Sequence, residues 1–186
     1  MFIRPLQLTL AILKPDVVAH PQVVQEIRSM IQGHGFYFVK SKHLHLTRAR
    51  AEEFYKEHKG KFFLNRLIYF MSSGPIWTHI LAREDAIPQW RQLMGPTKVL
   101  KYLLHSRTIH EAPDTIRGQF GLTDTRNCSH GSDSEETAKR EIEFFFPEFN
   151  ADRWYKEVEP VFKSGQVEFD ETTCEHVPIL KHASKS

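Results

Sequence analysis

The chain has 186 residues and a mass of 21.8 kDa, which suits one domain, or one domain with a tail, and leaves little room for two. It is 40% hydrophobic and 26% charged, the balance of a folded globular protein and not of a disordered one. Twenty-five Lys+Arg against 23 Asp+Glu leave +2, so bulk charge indicates neither a nucleic-acid coat nor a basic membrane arm, and any polyanion site must come from local clustering. No apolar run approaches the ~18–20 residues of a membrane span. Two cysteines, Cys128 and Cys174, cannot build a disulfide framework and point to a reducing compartment.

In chain order, Gln7 to Leu13 reads as a buried strand stopped by Pro15. Val23, Val24, Ile27, Met30 and Ile31 form one helical face between Pro21 and Gly33. Phe36 to Leu46 alternates as a strand, and Thr47 caps a short helix through Phe54 and Tyr55. Phe63, Leu64, Leu67, Ile68 and Met71 line the next helix, which Ser72-Ser73-Gly74-Pro75 breaks. Ile76 to Leu81 is a strand and Asp85 to Leu93 a helix. From Gly95 to Gly121 no clean period is visible, apart from a turn or two of helix expected over Val99 to Leu104.

After His130, Ser132 and Glu135 fit a capping box, and the helix runs through Ala138, Ile142 and Phe145 to Pro147. A last helix spans about Asp152 to Glu159, and a loosely ordered tail is expected over 160–186. The order is that of an α+β domain over 1–159, a ferredoxin-like βαββαβ sandwich with an antiparallel sheet and helices over one face.

Targeting signals are weak. Leu6 to Leu13 is followed at once by Lys14-Pro15-Asp16, unlike a cleaved signal peptide, and the lack of acidic residues before Asp16 is compatible with mitochondrial import. A cytoplasmic location is the alternative. Asn127-Cys128-Ser129 matches a glycosylation sequon, read as accidental without a secretory signal.

Several phosphate devices are absent: there is no GxxxxGK[ST] loop, no third glycine beside Gly33 and Gly35, and no HRD or DFG segment. A phosphate site must therefore be built from side chains. Lys14 ends the first strand, Arg91 and Thr97 flank Leu93-Met94-Gly95, Arg117 precedes Gly118, and Asn127 precedes His130. Each alone is an ordinary turn or loop residue. His130 stands before a glycine at the entry to a capped helix, where free N–H groups and the dipole favour an anion, and neutral imidazole is a good nucleophile toward phosphorus. From local pattern alone it is also one of eleven histidines, placed in a turn.

Five blocks in order resemble the nucleoside diphosphate kinase family: Thr9-Leu10-Ala11-Ile12-Leu13-Lys14-Pro15-Asp16, Phe70-Met71-Ser72-Ser73-Gly74-Pro75, Leu93-Met94-Gly95-Pro96-Thr97, Thr115-Ile116-Arg117-Gly118, and Asn127-Cys128-Ser129-His130-Gly131-Ser132-Asp133-Ser134. The later wording, FGLTDTRN and FFPEFNADRWY, is similar to the divergent type 6 member. The resemblance implies a ping-pong reaction in which His130 takes the γ-phosphoryl group of ATP and passes it to a nucleoside diphosphate. By matching position, Lys14 would contact the transferring phosphoryl, Arg91, Thr97 and Arg117 would hold the outer phosphates, and Asn127 would bind the sugar hydroxyl. Phe63 would stack on the base, although an aromatic on an amphipathic helix is more often core. Tyr55 would steady the nucleophile or Lys14, Ser132 would sit beside His130, and Glu141 would accept its other ring N–H. Mg²⁺ would ride on the nucleotide phosphates with no direct protein ligand.

The 97–117 segment is longer than in the family, and Lys98 stands where asparagine is usual. Its apolar residues would cover the chain's own surface or dock a second copy or a protein partner. The alternative to an active kinase is therefore a weakly active or partner-dependent interaction protein on the same fold. Distant cysteines and near-neutral charge disfavour a zinc or nucleic-acid module.

Overall fold

The computed structural model describes residues 4–99 and 111–179. Strand β1 (Gln7–Leu13) is central, and Pro15 both stops it and opens a one-turn helix α1 (Pro15–Val18), proline being favoured at a first helical position. Helix α2 (Pro21–Gly33) leads to β2 (Tyr37–His45), then α3 (Arg48–Phe54), a 3-10 turn (Lys56–His58), α4 (Leu64–Met71), β3 (Pro75–Arg83) and α5 (Ala86–Met94). Of the turn or two of helix expected over Val99 to Leu104, all but Val99 lies outside the described residues. Within that region a short helix α6 (Ile116–Phe120) does form, capped by Thr115, whose Oγ1 accepts from Gly118 N–H at 3.1 Å. Strand β4 (Ser129–Gly131), α7 (Glu135–Phe145), α8 (Ala151–Glu157) and α9 (Glu159–Lys163) follow, and β5 (Val167–Asp170) and β6 (Glu175–Pro178) close the described chain.

The four-stranded sheet has order β2-β3-β1-β4 and every pairing is antiparallel, the expected α+β architecture. Ile12 faces His130 across the β1–β4 ladder, and Leu13 faces Ser129. Strand β1 is buried on both faces. Leu8, Leu10 and Ile12 pack with Phe54, Met71, Ile142 and Phe145, while Ala11 and Leu13 pack with Ile27, Ile31, Trp90 and Leu93. The expected layer of helices is thus α2 and α5, and α3, α4 and α7 cover the second face as well. Each large side chain buried there contributes roughly 1.5–3 kcal/mol.

Three local expectations are corrected. Thr47 caps α3 as read, but the cap of α7 is Ser134, whose Oγ accepts from Thr137 N–H at 3.1 Å. Ser132 is fully buried and bonds elsewhere. The helix expected over Asp152 to Glu159 is two short helices that meet at Val158. The segment past Pro160, expected to be loose, forms α9 and a β5–β6 hairpin through Pro178. The hairpin lies on the free edge of β2: His176 Nδ1 accepts from Phe38 N–H at 2.8 Å, Glu175 Oε1 from Ser41 N–H at 2.9 Å, and Ser41 Oγ donates to the Cys174 carbonyl at 2.6 Å. Both cysteines are free and buried.

Candidate active site

The end of β1 and the strand β4 beside it carry the chemistry. Between them the chain makes a tight turn: Ser129 N–H donates to the Asn127 carbonyl at 2.8 Å, so three residues close a γ-turn around Cys128, whose φ is 71°. A positive φ on a non-glycine costs of order 1–3 kcal/mol. It persists because Asp16 Oδ2 accepts from Cys128 N–H at 3.0 Å and the Cys128 carbonyl accepts from Lys14 N–H at 2.8 Å. Asp16 therefore shapes the turn that delivers His130, a role its place in the first block did not reveal. Burial raises the Asp16 carboxyl above the usual range, and it also raises the Cys128 thiol.

His130 faces Glu141 one helix away. Its Nε2 lies 3.0 and 3.1 Å from the two oxygens of that carboxylate, and Ser132 Oγ donates to Oε2 at 2.7 Å. The Glu141 side chain is 2% exposed and that of His130 is 21% exposed, so the support is dry and the ring reaches solvent. Burial opposes the charge on Glu141, yet His130, Ser132 and Arg140 together hold it below the ordinary glutamate value. The carboxylate fixes the proton on Nε2 and leaves the Nδ1 lone pair available; among the described residues no donor occupies Nδ1. Phe54 and Tyr55 wall the imidazole edge-on at 5.4 and 6.2 Å. The Tyr55 hydroxyl is buried with no hydrogen-bond partner among the described residues, and burial followed by the charges of Glu141 and Glu57 raises its pKa.

The cations converge on the same strand ends. Lys14 is buried and Nζ donates to Asn127 Oδ1 at 2.6 Å. Burial and the Arg117 charge push the lysine down to about 8. Arg117 sits on α6, and burial with Arg91 nearby lowers it to about 10. Its guanidinium is a staple. Nε donates to the Asn127 carbonyl at 3.2 Å, Nη1 to the Gly95 carbonyl at 2.8 Å and to Thr97 Oγ1 at 3.4 Å, and Nη2 to the Ser129 carbonyl at 2.9 Å. Four of its five N–H groups are thereby committed, so Arg117 has no free bidentate fork for the outer phosphates in this arrangement. Glycine is required around it. A Cβ on Gly118 would meet the Ala112 carbonyl oxygen at 2.0 Å, and one on Gly95, at φ 82°, would meet Thr115 Oγ1 at 2.3 Å.

Asn127 is as fully engaged. Its Nδ2 donates to the Thr97 carbonyl at 3.1 Å and the Asp124 carbonyl at 3.0 Å, which leaves one lone pair on Oδ1 for anything further. The same burial removes the sequon from solvent. Arg91, on the last turn of α5, is exposed and has no hydrogen bond or ion pair among the described residues. Thr97 is exposed too. Phe63 opens α4 half-buried and belongs to neither core cluster; its ring meets His58 at 5.5 Å and the exposed Phe62 at 5.7 Å. It is thus an aromatic surface beside the site and not a core residue. Trp90 and Gly131 also belong to the site and were not singled out from sequence, where Trp90 reads only as one more apolar residue of α5. A cleft of about 990 Å³ lined by Leu6, Leu8, Ile142, Phe149 and Tyr155 lies elsewhere and touches none of these groups except through α7.

A family model described as nucleoside diphosphate kinase matches residues 7–151. A Xenopus tropicalis protein named nucleoside diphosphate kinase 6 is 51% identical over 175 residues, 94% of this chain and 94% of that one. A Homo sapiens protein of the same name is 51% identical over 164 residues, 88% of this chain and 85% of that one. The crystal structure of the Aquifex aeolicus nucleoside diphosphate kinase matches with a TM-score of 0.68 at 37% identity, over 76% of this chain and 95% of that chain. The chain belongs to the nucleoside diphosphate kinase family, transferases that bind nucleotides. Within that family it is similar to the type 6 members along most of their length, including sequence beyond residue 151.

Proposed function

We propose that this chain transfers the γ-phosphoryl group of ATP to nucleoside diphosphates through a phosphohistidine at His130. The observation that carries the reading is the ring held by Nε2–H to a buried carboxylate, with Nδ1 free of hydrogen-bond partners among the described residues and the side chain 21% exposed. In the first half-reaction Nδ1 attacks phosphorus, the N–P bond forms, the bond from phosphorus to the bridging oxygen breaks, and the diphosphate leaves with that electron pair. The positive charge gained by the ring is balanced by Glu141, which keeps its proton donor throughout. The second half-reaction is the reverse with another diphosphate as acceptor. Because the bonds broken and formed are alike, the protein supplies alignment and charge.

Lys14, buried at the strand end, meets the transferring phosphoryl, and the unpartnered Tyr55 hydroxyl donates beside it. Arg91, with no committed partner, holds the outer phosphates with Thr97. Arg117 contributes its charge and one remaining N–H, and keeps the Gly95, Asn127 and Ser129 carbonyls turned away from the phosphates. Asn127 holds Lys14 in place and offers its last lone pair to a sugar hydroxyl. Phe63 stacks on the base, and since every base has a π-face this tolerates any of them. No group of three or more His, Cys, Asp or Glu among the described residues is arranged to hold a metal ion. Mg²⁺ would arrive on the nucleotide, where it would neutralise phosphate charge.

The test is direct labelling. Purified chain incubated with γ-labelled ATP and Mg²⁺ yields an acid-labile, base-stable phosphoenzyme that a nucleoside diphosphate discharges, and His130→Ala yields none. Label that survives His130→Ala overturns the assignment. Label that forms but is not discharged supports the partner-dependent alternative.

A further inference from the structure

We infer that Trp90 is a positioning residue that sets the height and orientation of the nucleophile; the inference rests on the reading of His130 as that nucleophile. Trp90 is fully buried on α5, and its indole Nε1 donates to the His130 main-chain carbonyl at 3.2 Å. The same ring is a floor for the next residue. A Cβ on Gly131 would stand 2.4 Å from Trp90 Cδ1 and 2.5 Å from Nε1, distances real Cβ atoms do not reach. The indole is itself held, with Phe36 edge-on at 6.2 Å. Gly131 is therefore glycine because the tryptophan occupies the space, and the tryptophan can reach the carbonyl because Gly131 has no side chain.

The reason such a hold is needed lies in β4. It has three residues, and among the described residues β1 is the one strand paired with it. Three ladder positions resist rotation of the 129–131 peptides weakly, and any rotation swings the imidazole away from Glu141. Arg117 holds the Ser129 carbonyl, and Trp90 adds the one side-chain attachment among the described residues to the carbonyl of His130 itself. The residue after it, Arg91, is the one cationic side chain of the site with no committed partner among the described residues. One turn of α5 thus ties the nucleophile's backbone to the element that carries the outer-phosphate contact. The distance between the attacking nitrogen and the held phosphates is fixed through a single side chain, and a misplacement of about 1 Å there costs about 100-fold in rate.

The experiment separates the N–H from the volume. Benzothienylalanine placed at position 90 keeps the bicyclic shape and replaces the N–H by sulfur; Trp90→Phe removes the N–H and part of the ring. Single-turnover phosphoenzyme formation, ATP affinity and melting temperature are measured on the full chain. The expected result for benzothienylalanine is a five- to tenfold slower labelling step, about the worth of one hydrogen bond, with ATP Kd within about twofold and melting temperature unchanged. Trp90→Phe is slower still. A role in packing alone predicts the reverse, a lower melting temperature and weaker ATP binding with normal labelling once saturated. Benzothienylalanine that labels at the wild-type rate overturns the inference, as does a loss of rate fully explained by weaker ATP binding. His130→Ala is run alongside: if it still labels, the nucleophile reading and this inference fall together, whereas a silent His130→Ala beside a wild-type-like position-90 variant removes the Trp90 role alone.

Discussion

Replacing Glu141 by glutamine puts one atom of contradiction into the support of His130. The carboxylate accepts two protons, from Ser132 Oγ at 2.7 Å and from His130 Nε2 at 3.0 Å. A carboxamide has one accepting end and one donating end. With its oxygen toward Ser132, its NH₂ faces Nε2, which must then accept; the ring proton moves to Nδ1 and blocks the attacking lone pair. With its oxygen toward His130, the NH₂ faces Ser132 Oγ, which already takes Leu10 N–H at 3.4 Å, and the fully buried hydroxyl proton loses its acceptor. An orphaned buried donor costs about 1–3 kcal/mol, so the productive orientation falls by about 5- to 150-fold in population. Single-turnover labelling of Glu141→Gln by rapid quench is expected to slow by 10- to 100-fold on this account, with ATP affinity nearly unchanged. The double variant Ser132→Ala/Glu141→Gln removes the competing donor and lets the amide turn its oxygen to His130. It recovers part of the lost rate, though not the part due to the missing negative charge. A double variant slower than Glu141→Gln, or a single variant close to wild type, refutes the tautomer argument.

Other consequences are checked more simply. Lys14 titrates near 8 in the folded protein against an ordinary 10.5; a bound triphosphate restores the higher value, so at pH 9 ATP binding takes up protons. Calorimetry in buffers of different ionisation enthalpy reads that uptake, Lys14→Met abolishes it, and uptake that persists in the variant assigns it elsewhere. The unliganded protein follows the matching sign: between about 8 and 10.5 the unfolded chain keeps a proton the folded chain has released, so the Lys14 contribution makes stability rise with pH across that window and is absent in Lys14→Met. Gly118→Ala places a methyl against the Ala112 carbonyl and lifts Arg117 out of its staple; a loss of ATP affinity of tenfold or more, about 1.4 kcal/mol, is expected by titration, and unchanged affinity contradicts the staple. Truncation after Ser164 removes the hairpin with its three bonds to β2, about 2–4 kcal/mol, and lowers the melting temperature by about 5–15 °C; an unchanged transition would mean the hairpin is decoration.

Period and punctuation made most elements legible. The faces of α2, α4 and α7 repeat at helical spacing, and β1, β2 and β3 are bounded by Pro, Gly or Ser. The β5–β6 hairpin was not legible because its strands are four residues each and half polar, VEFD and EHVP. What orders them is the bare edge of β2, which no local pattern announces. Ser132 was read as a helix cap because it stands three residues before an acidic one. Three residues after Ser134 stands Thr137, so Ser134 shows no such box; it becomes the cap because Glu141 takes Ser132 into the core from nine positions away. In the site, Lys14, Arg117, Asn127 and His130 were named and do converge. The sequence could not show that Arg117 spends its fork on backbone carbonyls, or that Asp16 holds the Cys128 amide and Trp90 the His130 carbonyl, since all three act through main-chain atoms that every residue possesses.

The hairpin also has a consequence for the order of synthesis. A ribosome makes β2 about 130 residues before it makes His176 and Glu175, whose side chains occupy the Phe38 and Ser41 amides. At the ~5–20 residues per second of translation, a sheet of β1, β2 and β3, whose sequence is complete at Arg83, has that edge unguarded for about 5–20 s before Glu175 is made. Nascent chains on neighbouring ribosomes carry the same open edge at the same stage. The last described strands of this protein act as a closing clasp on an edge that could otherwise pair with another chain.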